Sequence, residues 1–314
     1  MKVVIAIVTY NRPEGLRRLL ESLAPEIASK GERDVEIVVV DNDSRESARE
    51  TVEEFRRAHP VNVEYCIEPR RGIPFGRNTA IRRALEKGCD YIAFLDDDEY
   101  VLPNWFHAIT DAAVRFGASI VTGPVVAEFA STPSRWVKSG RFHSRLRRST
   151  GARLRTTGTG NALIHRTVFE GVTPWFDETM PFTGGTDTLF FRRAVKSGYE
   201  IVWADDAVVV EVVPAWRANV RWLVKRHYRL GNTSITIDNK LEQPNRSLSV
   251  RHWISAIAKI GVGAIQVIGW GIISRERLIE GLLRCARGWG MVAGLLGRTY
   301  EEYRKGAEEA LSGT

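Results

Sequence analysis

The chain has 314 residues, is 44% hydrophobic and carries a formal net charge of +7, enough apolar content for a large core in one domain, or one domain with an appendage. Its three cysteines, Cys66, Cys89 and Cys285, stand at no metal-ligand or disulfide spacing, which excludes a stapled secreted scaffold and favours a reducing compartment. The opening MKVVIAIVTYNRPE is too short an apolar run for a signal peptide and reads as a first core strand, so a cytoplasmic location is expected.

The run VVIAIVTY (residues 3–10) predicts a strand covered on both faces. After NRPE, Leu16, Leu19, Leu20, Leu23 and Ile27 recur at helical spacing over residues 15–28. VEIVVVDN (35–42) predicts a second strand, and residues 44–58 a polar helix with Ser44 as N-cap. VEYCIEP (63–69) is a third strand, residues 76–87 a helix ended by Gly88, and DYIAFLDDD a fourth strand. This alternation predicts an α/β fold with a mostly parallel, Rossmann-like central sheet flanked by helices. Ligands of such sheets bind at the carboxyl ends of strands, where TYN, DNDS and DDDE all stand.

Beyond residue 118, SIVTGPVVAEF predicts one strand, followed by a long basic loop and by TTGTGNALIHR. TDTLFFRRAVKSG predicts a short helix, and EIVWADDAVVVEVVP one or two strands. Residues 253–273 form an apolar stretch near the length that spans a bilayer, interrupted by Lys259 and Gln266. A second stretch, 278–297, carries Arg284 and Arg287, which makes spanning costly. The pair reads as a helical hairpin on or dipping into a membrane, with Trp253, Trp270 and Trp289 as interface anchors. The alternative is a soluble helical appendage packed on the core or on a second copy. Residues 215–314 hold 16 Lys and Arg against 8 Asp and Glu, so the basic excess belongs to this third. Its cations flank apolar segments rather than interleaving with aromatics, which argues for an anionic membrane surface and against nucleic acid. The tail after Tyr300 predicts a polar helix, and His59, His107, His143, His165 and His252 lack evident partners and read as structural or surface.

The stretch IAFLDDDEYVLP concentrates Asp96, Asp97, Asp98 and Glu99 at a strand end. Such a cluster serves a solvated loop, a helix cap or a divalent cation. Asp96 and Asp98, one residue apart, can address one hard cation and the phosphates it carries. If strand alternation persists, Asp97 points the other way, and Glu99 is expected to be solvated.

VTYNRPEGLRRLLESL, IVVVDNDS, RGIPFGRNTAIRRA and IAFLDDDEYVLPNW together resemble family 2 glycosyltransferases of the GT-A fold. The resemblance continues through GTGNALIHR, FDETMPFTGGTDTLFFRRA and the segment ending RHYRLGNT, covering about residues 3–235. It implies a catalytic domain over 1–235, a C-terminal helical region over 236–314, and an inverting transfer from a nucleotide-diphosphate sugar, resembling most the bacterial transferases that extend lipid-linked exopolysaccharide repeats. By that resemblance Thr9, Tyr10 and Asn11 meet the base and ribose, and Asp41 accepts from the base. Asp43 serves the same site or an Asx-turn. Arg77 and Asn78 offer donors to the nucleotide, although Gly76 can be a helix-start turn and Arg77 a countercharge to the acids. Asp96 and Asp97 join the nucleotide-sugar site. Asp98 and Asp96, with Glu211 as third ligand, hold Mg²⁺ or Mn²⁺. Gly160 and Asn161 line the donor sugar or form a tight turn, and Trp203 and Trp216 stack on sugars or belong to the core. The family places its general base in a Glu-Asp pair. Here the text is TGGTD, with Thr186 in the Glu position and Asp187 as base, or as a helix N-cap. NVRW holds only part of the QxxRW motif of processive synthases, which points to single addition, with a lipid-linked or glycan acceptor at the inner face of the plasma membrane. A nucleotidyltransferase, or a non-catalytic nucleotide-sugar-binding partner of an assembly complex, is the competing reading.

Overall fold

The computed structural model describes residues 1–29, 31–140, 142–143, 147–242, 246–270 and 273–304. In chain order the first elements are β1 (Lys2–Thr9), α1 (Pro13–Ala28), β2 (Asp34–Asp41), α2 (Arg49–Ala58), β3 (Val63–Ile67), α3 (Ile73–Glu86), β4 (Tyr91–Asp96), β5 (Glu99–Val101) and α4 (Trp105–Phe116). Then follow β6 (Ile120–Thr122), β7 (Val125–Phe129), α5 (Arg135–Ser139), β8 (Arg153–Leu154), β9 (Ala162–His165), α6 (Arg166–Gly171), α7 (Thr186–Lys196), β10 (Ile201–Trp203) and β11 (Val209–Val213). Three long helices follow: α8 (Val220–Leu241), α9 (Arg246–Trp270) and α10 (Arg275–Leu295).

The main sheet runs β3-β2-β1-β4-β9-β6-β10-β8 and a smaller one β5-β11-β7. The first four strands are mutually parallel, whereas β9 runs antiparallel to both of its neighbours, so the sheet is mixed. In β1, Val3 to Ile7 are all fully buried because both faces are covered, which is why the strand reads as an unbroken apolar run. Val3, Ile5 and Ile7 pack with the Leu16–Leu23 stripe of α1 and with Trp105 and Phe106 of α4. Val4 and Ala6 face the opposite layer, with Ile81 of α3 and Phe190 and Phe191 of α7.

Several boundaries differ from expectation. The second helix starts at Arg49, not Ser44, because Asp43 accepts the Arg45 N–H (3.1 Å) and Glu46 adopts φ 58°, which holds this stretch in turns. α3 begins at Ile73, so Gly76 lies inside it, where an added Cβ would meet the Val8 side chain at 2.6 Å. SIVTGPVVAEF is two strands in different sheets, since Gly123-Pro124 breaks it. The expected lone histidines have partners: His59 with Glu21 (3.1 Å), His107 with Arg33 (3.0 Å), His165 with Thr167 (2.8 Å) and His252 with Asp238 (2.9 Å). His143 stacks on Trp222.

The chain forms two compact units, the first comprising Met1–Ala127, Arg145–Pro181 and Thr186–Val212. The second holds α5 and α8 to α10, so the boundary expected at 235 falls inside α8 and the division near residue 213 replaces it. Within the second unit α9 and α10 form an antiparallel hairpin, with Gly263 against Gly281 and Ala256 against Gly288, and α10 also packs along α8. The predicted tail helix is absent over residues 301–304 and otherwise lies outside the described residues.

Candidate active site

The four acids form a tight turn between β4 and β5. Burial alternates: Asp97 and Glu99 are 6% and 2% exposed, while the Asp96 and Asp98 side chains keep 43% and 22%. Asp97 is the hub. It accepts from Thr9 Oγ1 (2.9 Å), the Tyr10 N–H (3.4 Å) and Arg12 Nη1 (2.8 Å), and the same guanidinium reaches Asp98 at 3.1 Å. Burial pushes the Asp97 carboxyl up to about 6, against the lowering effect of Arg12. Arg77 Nη2 donates to Asp96 at 3.1 Å, the countercharge role open to it in the sequence. Glu99 is not solvated: it is buried and accepts the Asp96 N–H at 2.9 Å. Two glycines allow this packing, since a Cβ on Gly15 would lie 2.3 Å from the Asp97 carbonyl oxygen and one on Gly160 2.4 Å from the Glu99 carboxylate.

Most polar groups expected to meet the nucleotide are committed to the protein instead. Asp41 is fully buried and accepts from the Asp43 N–H (3.0 Å), the Ala48 N–H (2.8 Å) and Tyr65 Oη (2.9 Å). It closes the β2–α2 turn, and burial raises its pKa. Thr9 is buried on Asp97. Asn78 holds the Phe176 carbonyl (2.9 Å) and N–H (3.0 Å) and Glu178 (3.0 Å). Asn161 is 2% exposed, donates to the Pro124 (3.2 Å) and Ala207 (2.7 Å) carbonyls, and accepts from Trp105 Nε1 (2.9 Å), so its amide holds the scaffold rather than a sugar. Trp203 is likewise buried, while Trp216 is 59% exposed. What remains at the strand ends is Tyr10, with the Arg71 guanidinium 3.7 Å above its ring, Asn11 at φ 50°, and the pair Asp96 and Asp98.

The loop after β3 is tied down by Glu68, which accepts from Arg70 Nε (2.9 Å), Arg70 Nη2 (2.8 Å) and Thr79 Oγ1 (2.7 Å). Its hydrogen bonds from Arg70, outweighing burial, hold its pKa down at about 2, against an ordinary 4.5. A lowered carboxylate stabilises the fold fully above the ordinary value and loses that contribution as pH falls toward 2. Glu68→Gln is therefore expected to cost about 1–3 kcal/mol near neutrality, with the difference in Tm from the native chain shrinking steadily below pH 4.5. A Tm series in pH checks this, and a constant difference down to pH 2 would contradict it.

Asp187 lies in the first turn of α7, just after Gly184 and Gly185, both at positive φ. Its Oδ1 accepts the Thr188 N–H at 2.7 Å. Its Oδ2 stands 3.4 Å from where a Cβ on Gly158 would lie. A Cβ on Gly158 would contact Asp187 and one on Gly160 would collide with Glu99, so one three-residue segment runs from beside the expected base to beside the acidic turn. Gly158 also lines a cavity of 240 Å³ with Thr122, Arg148, Thr156, Thr157 and Trp203. Glu211 is set opposite Glu99 in the β5–β11 pairing, and the Val212 N–H donates to the Asp98 carbonyl at 2.9 Å.

The description "Glycosyl transferase family 2" belongs to the family model that matches residues 4–173. The succinoglycan biosynthesis protein ExoM of Rhizobium meliloti is 34% identical over 99% of this chain and 98% of its own length. The chain belongs to glycosyltransferase family 2. AglE, a glycosyltransferase of Haloferax volcanii, is 25% identical over 75% of this chain and 73% of its own. Among solved structures, the mannosyltransferase PcManGT of Pyrobaculum calidifontis, in complex with GDP-Man and Mn²⁺, has a TM-score of 0.59 at 18% identity, covering 94% of this chain and 87% of that one. S. aureus TarS 1–349 in complex with UDP has a TM-score of 0.54 at 16% identity, covering 96% and 93%. Both share the fold of this glycosyltransferase.

A divalent cation fits the acidic turn of this glycosyltransferase in one way. Among the described residues no group of three or more His, Cys, Asp or Glu converges as a metal cage. Asp96 and Asp98 are the two acids that stay partly open, a hard-oxygen pair of the kind that holds Mg²⁺ together with substrate phosphates. Sequence reasoning missed Arg12. The available signal was charge: four adjacent acids demand cations, and NRPE leaves β1, the strand parallel to β4, with Val8 beside Asp96.

Proposed function

We propose that the enzyme moves a single sugar from a nucleotide-diphosphate sugar, a UDP-hexose being the first candidate, to a hydroxyl of a lipid-linked or polysaccharide acceptor, with inversion at the anomeric carbon. The observation that carries this is the Gly158–Gly160 segment, which runs beside Asp187 at one end and beside Glu99 of the acidic turn at the other. Asp187 takes the acceptor hydroxyl proton as that oxygen attacks the anomeric carbon, and the bond to the diphosphate breaks on the opposite face. The half-open Asp187 carboxylate keeps Oδ2 toward Gly158, while Oδ1 is occupied by the Thr188 N–H, which fixes the direction from which it reaches the acceptor. Asp98 and Asp96 would hold Mg²⁺ or Mn²⁺, which would supply positive charge to the leaving diphosphate; Glu211, expected as third ligand, pairs opposite Glu99 and does not converge with them. Tyr10 under Arg71, with Asn11, offers the base an aromatic face and polar edges. The likeness to the succinoglycan biosynthesis protein ExoM over nearly the whole chain supports a role in exopolysaccharide assembly.

The donor site is tested by melting the protein with UDP, GDP or dTDP, each with and without Mn²⁺ or Mg²⁺. At least one nucleotide is expected to raise Tm, and to do so only with metal. If none shifts Tm under either condition, the donor assignment fails.

A further inference from the structure

In the helical hairpin of the second unit, α10 buries Ile279, Leu283 and Met291, whereas α9 turns most of its large aliphatic residues to the outside. Four residues of α9 are buried: Leu248 and His252 near its start, then Ala256 and Gly263, the last set against Gly281 and Cys285 of α10. A Cβ on Gly263 would lie 2.7 Å from the Gly281 carbonyl oxygen, and one on Gly288 2.8 Å from the Ala256 carbonyl oxygen, so the two backbones nearly touch. Most of the large aliphatic residues of α9 point outward, with Ile254 and Ile257 each 62%, Ile265 70% and Ile268 81% exposed. Val250 and Val262 continue the same stripe at 49% and 42%. In water the hydrophobic effect puts the large residues inside. Small residues between helices and large ones outside is the arrangement of helices surrounded by lipid.

The charges around the stripe select among occupants. Arg246 and Arg251 stand exposed at the start of α9, and Arg275, Arg277, Arg284 and Arg287 stand exposed on α10. Acids near this surface are Glu276, bonded to Ser139 (2.7 Å) and Ser274 (3.1 Å), and the exposed Glu280. Trp270, with the Arg277 guanidinium 4.0 Å over its ring, and Trp289 are 42% and 56% exposed. A second copy docked on the same face would bring one basic collar against another, whereas an anionic headgroup layer complements it. α9 is long and apolar enough to cross a membrane, at about 37 Å. Arg284 lies on α10 between Gly281 and Gly288, the residues that meet the middle of α9, so a spanning α9 would carry that arginine into the hydrocarbon.

We propose that the outward face of α9, from Val250 through Ile268, lies in the plane of an anionic lipid bilayer, with its isoleucines in the acyl boundary and the arginines and Trp270 and Trp289 at the headgroups. This surface is independent of the catalytic reading and holds whatever sugar is transferred.

The test is flotation of the full chain with vesicles of phosphatidylcholine alone or mixed with phosphatidylglycerol, beside light scattering without lipid. The native chain is expected to float with the mixed vesicles, to be released by high salt, and to float poorly with phosphatidylcholine alone. Ile265→Lys with Ile268→Lys, both at exposed positions, is expected to lower the floated fraction by about tenfold or more while leaving Tm unchanged. Flotation unaffected by these substitutions, or no flotation at all, would overturn the proposal. So would a lipid-free dimer that the same substitutions convert to monomer, which would assign the face to a second copy. Retention on vesicles through high salt and alkaline carbonate, with release only by detergent, would overturn the in-plane placement in favour of a spanning helix.

Discussion

Asp187→Asn is expected to lower transfer by about a thousandfold, within the range a positioned general base contributes, while nucleotide binding stays intact. The amide keeps an oxygen for the Thr188 N–H, now 2.7 Å from Oδ1, so the head of α7 is preserved and the loss is chemical. Half-buried beside Gly158 and, among the described residues, outside any ion pair with arginine or lysine, Asp187 is placed to meet an incoming hydroxyl. The readout is a split: turnover falls, whereas the nucleotide-induced rise in Tm remains. Full turnover in the variant would remove Asp187 from the base role.

Asp98→Asn is expected to cut turnover roughly a hundredfold or more and to abolish the metal-dependent part of the nucleotide response, since loss of charge at a developing diphosphate is felt mostly in the transition state. Its neighbour separates binding from architecture. Asp97 holds Thr9, Tyr10 and Arg12 from a buried position, so Asp97→Asn leaves donors ill-matched and is expected to lower stability by about 1–3 kcal/mol. Asp98 keeps 22% side-chain exposure, and Arg12 retains Asp97 in its absence, so Asp98→Asn should melt close to the native chain. Equal losses of Tm for the two variants would contradict this division of the acidic turn.

The strands were legible because a parallel sheet covered on both faces turns Val3–Ile7 and Ile37–Val40 into unbroken apolar runs. The separation of Asp96 and Asp98 from Asp97 was legible for a related reason, since side chains alternate even at a strand end, and burial follows that alternation. Polar residues at strand ends were harder. A carboxylate or amide looks the same in sequence whether its partner is a ligand or the backbone, and the partners here are distant. Asn78 bonds residues 98 and 100 positions away, and Asn161 a carbonyl 46 positions away. Asp41 is a mixed case: the Asp43 and Ala48 N–H groups lie two and seven positions on, and only Tyr65 Oη, 24 positions away, awaits the pairing of β3. Arg12 was hidden by its own motif, in which a proline and a glutamate suggest a helix start and nothing marks the arginine as the countercharge of residues 85 positions later. Thr186 in place of the family's Glu leaves Asp187 alone at its helix start, with Thr186 itself buried.

The central claim is tested most directly by incubating the protein with single nucleotide sugars and Mn²⁺ and following the anomeric proton of the released or transferred sugar by NMR. The account predicts that one donor is consumed only with metal, that the first-formed sugar has the anomeric configuration opposite to the donor's, and that Asp187→Asn abolishes the signal. First-formed sugar of the donor's own configuration, or consumption unaffected by Asp187→Asn, would contradict it.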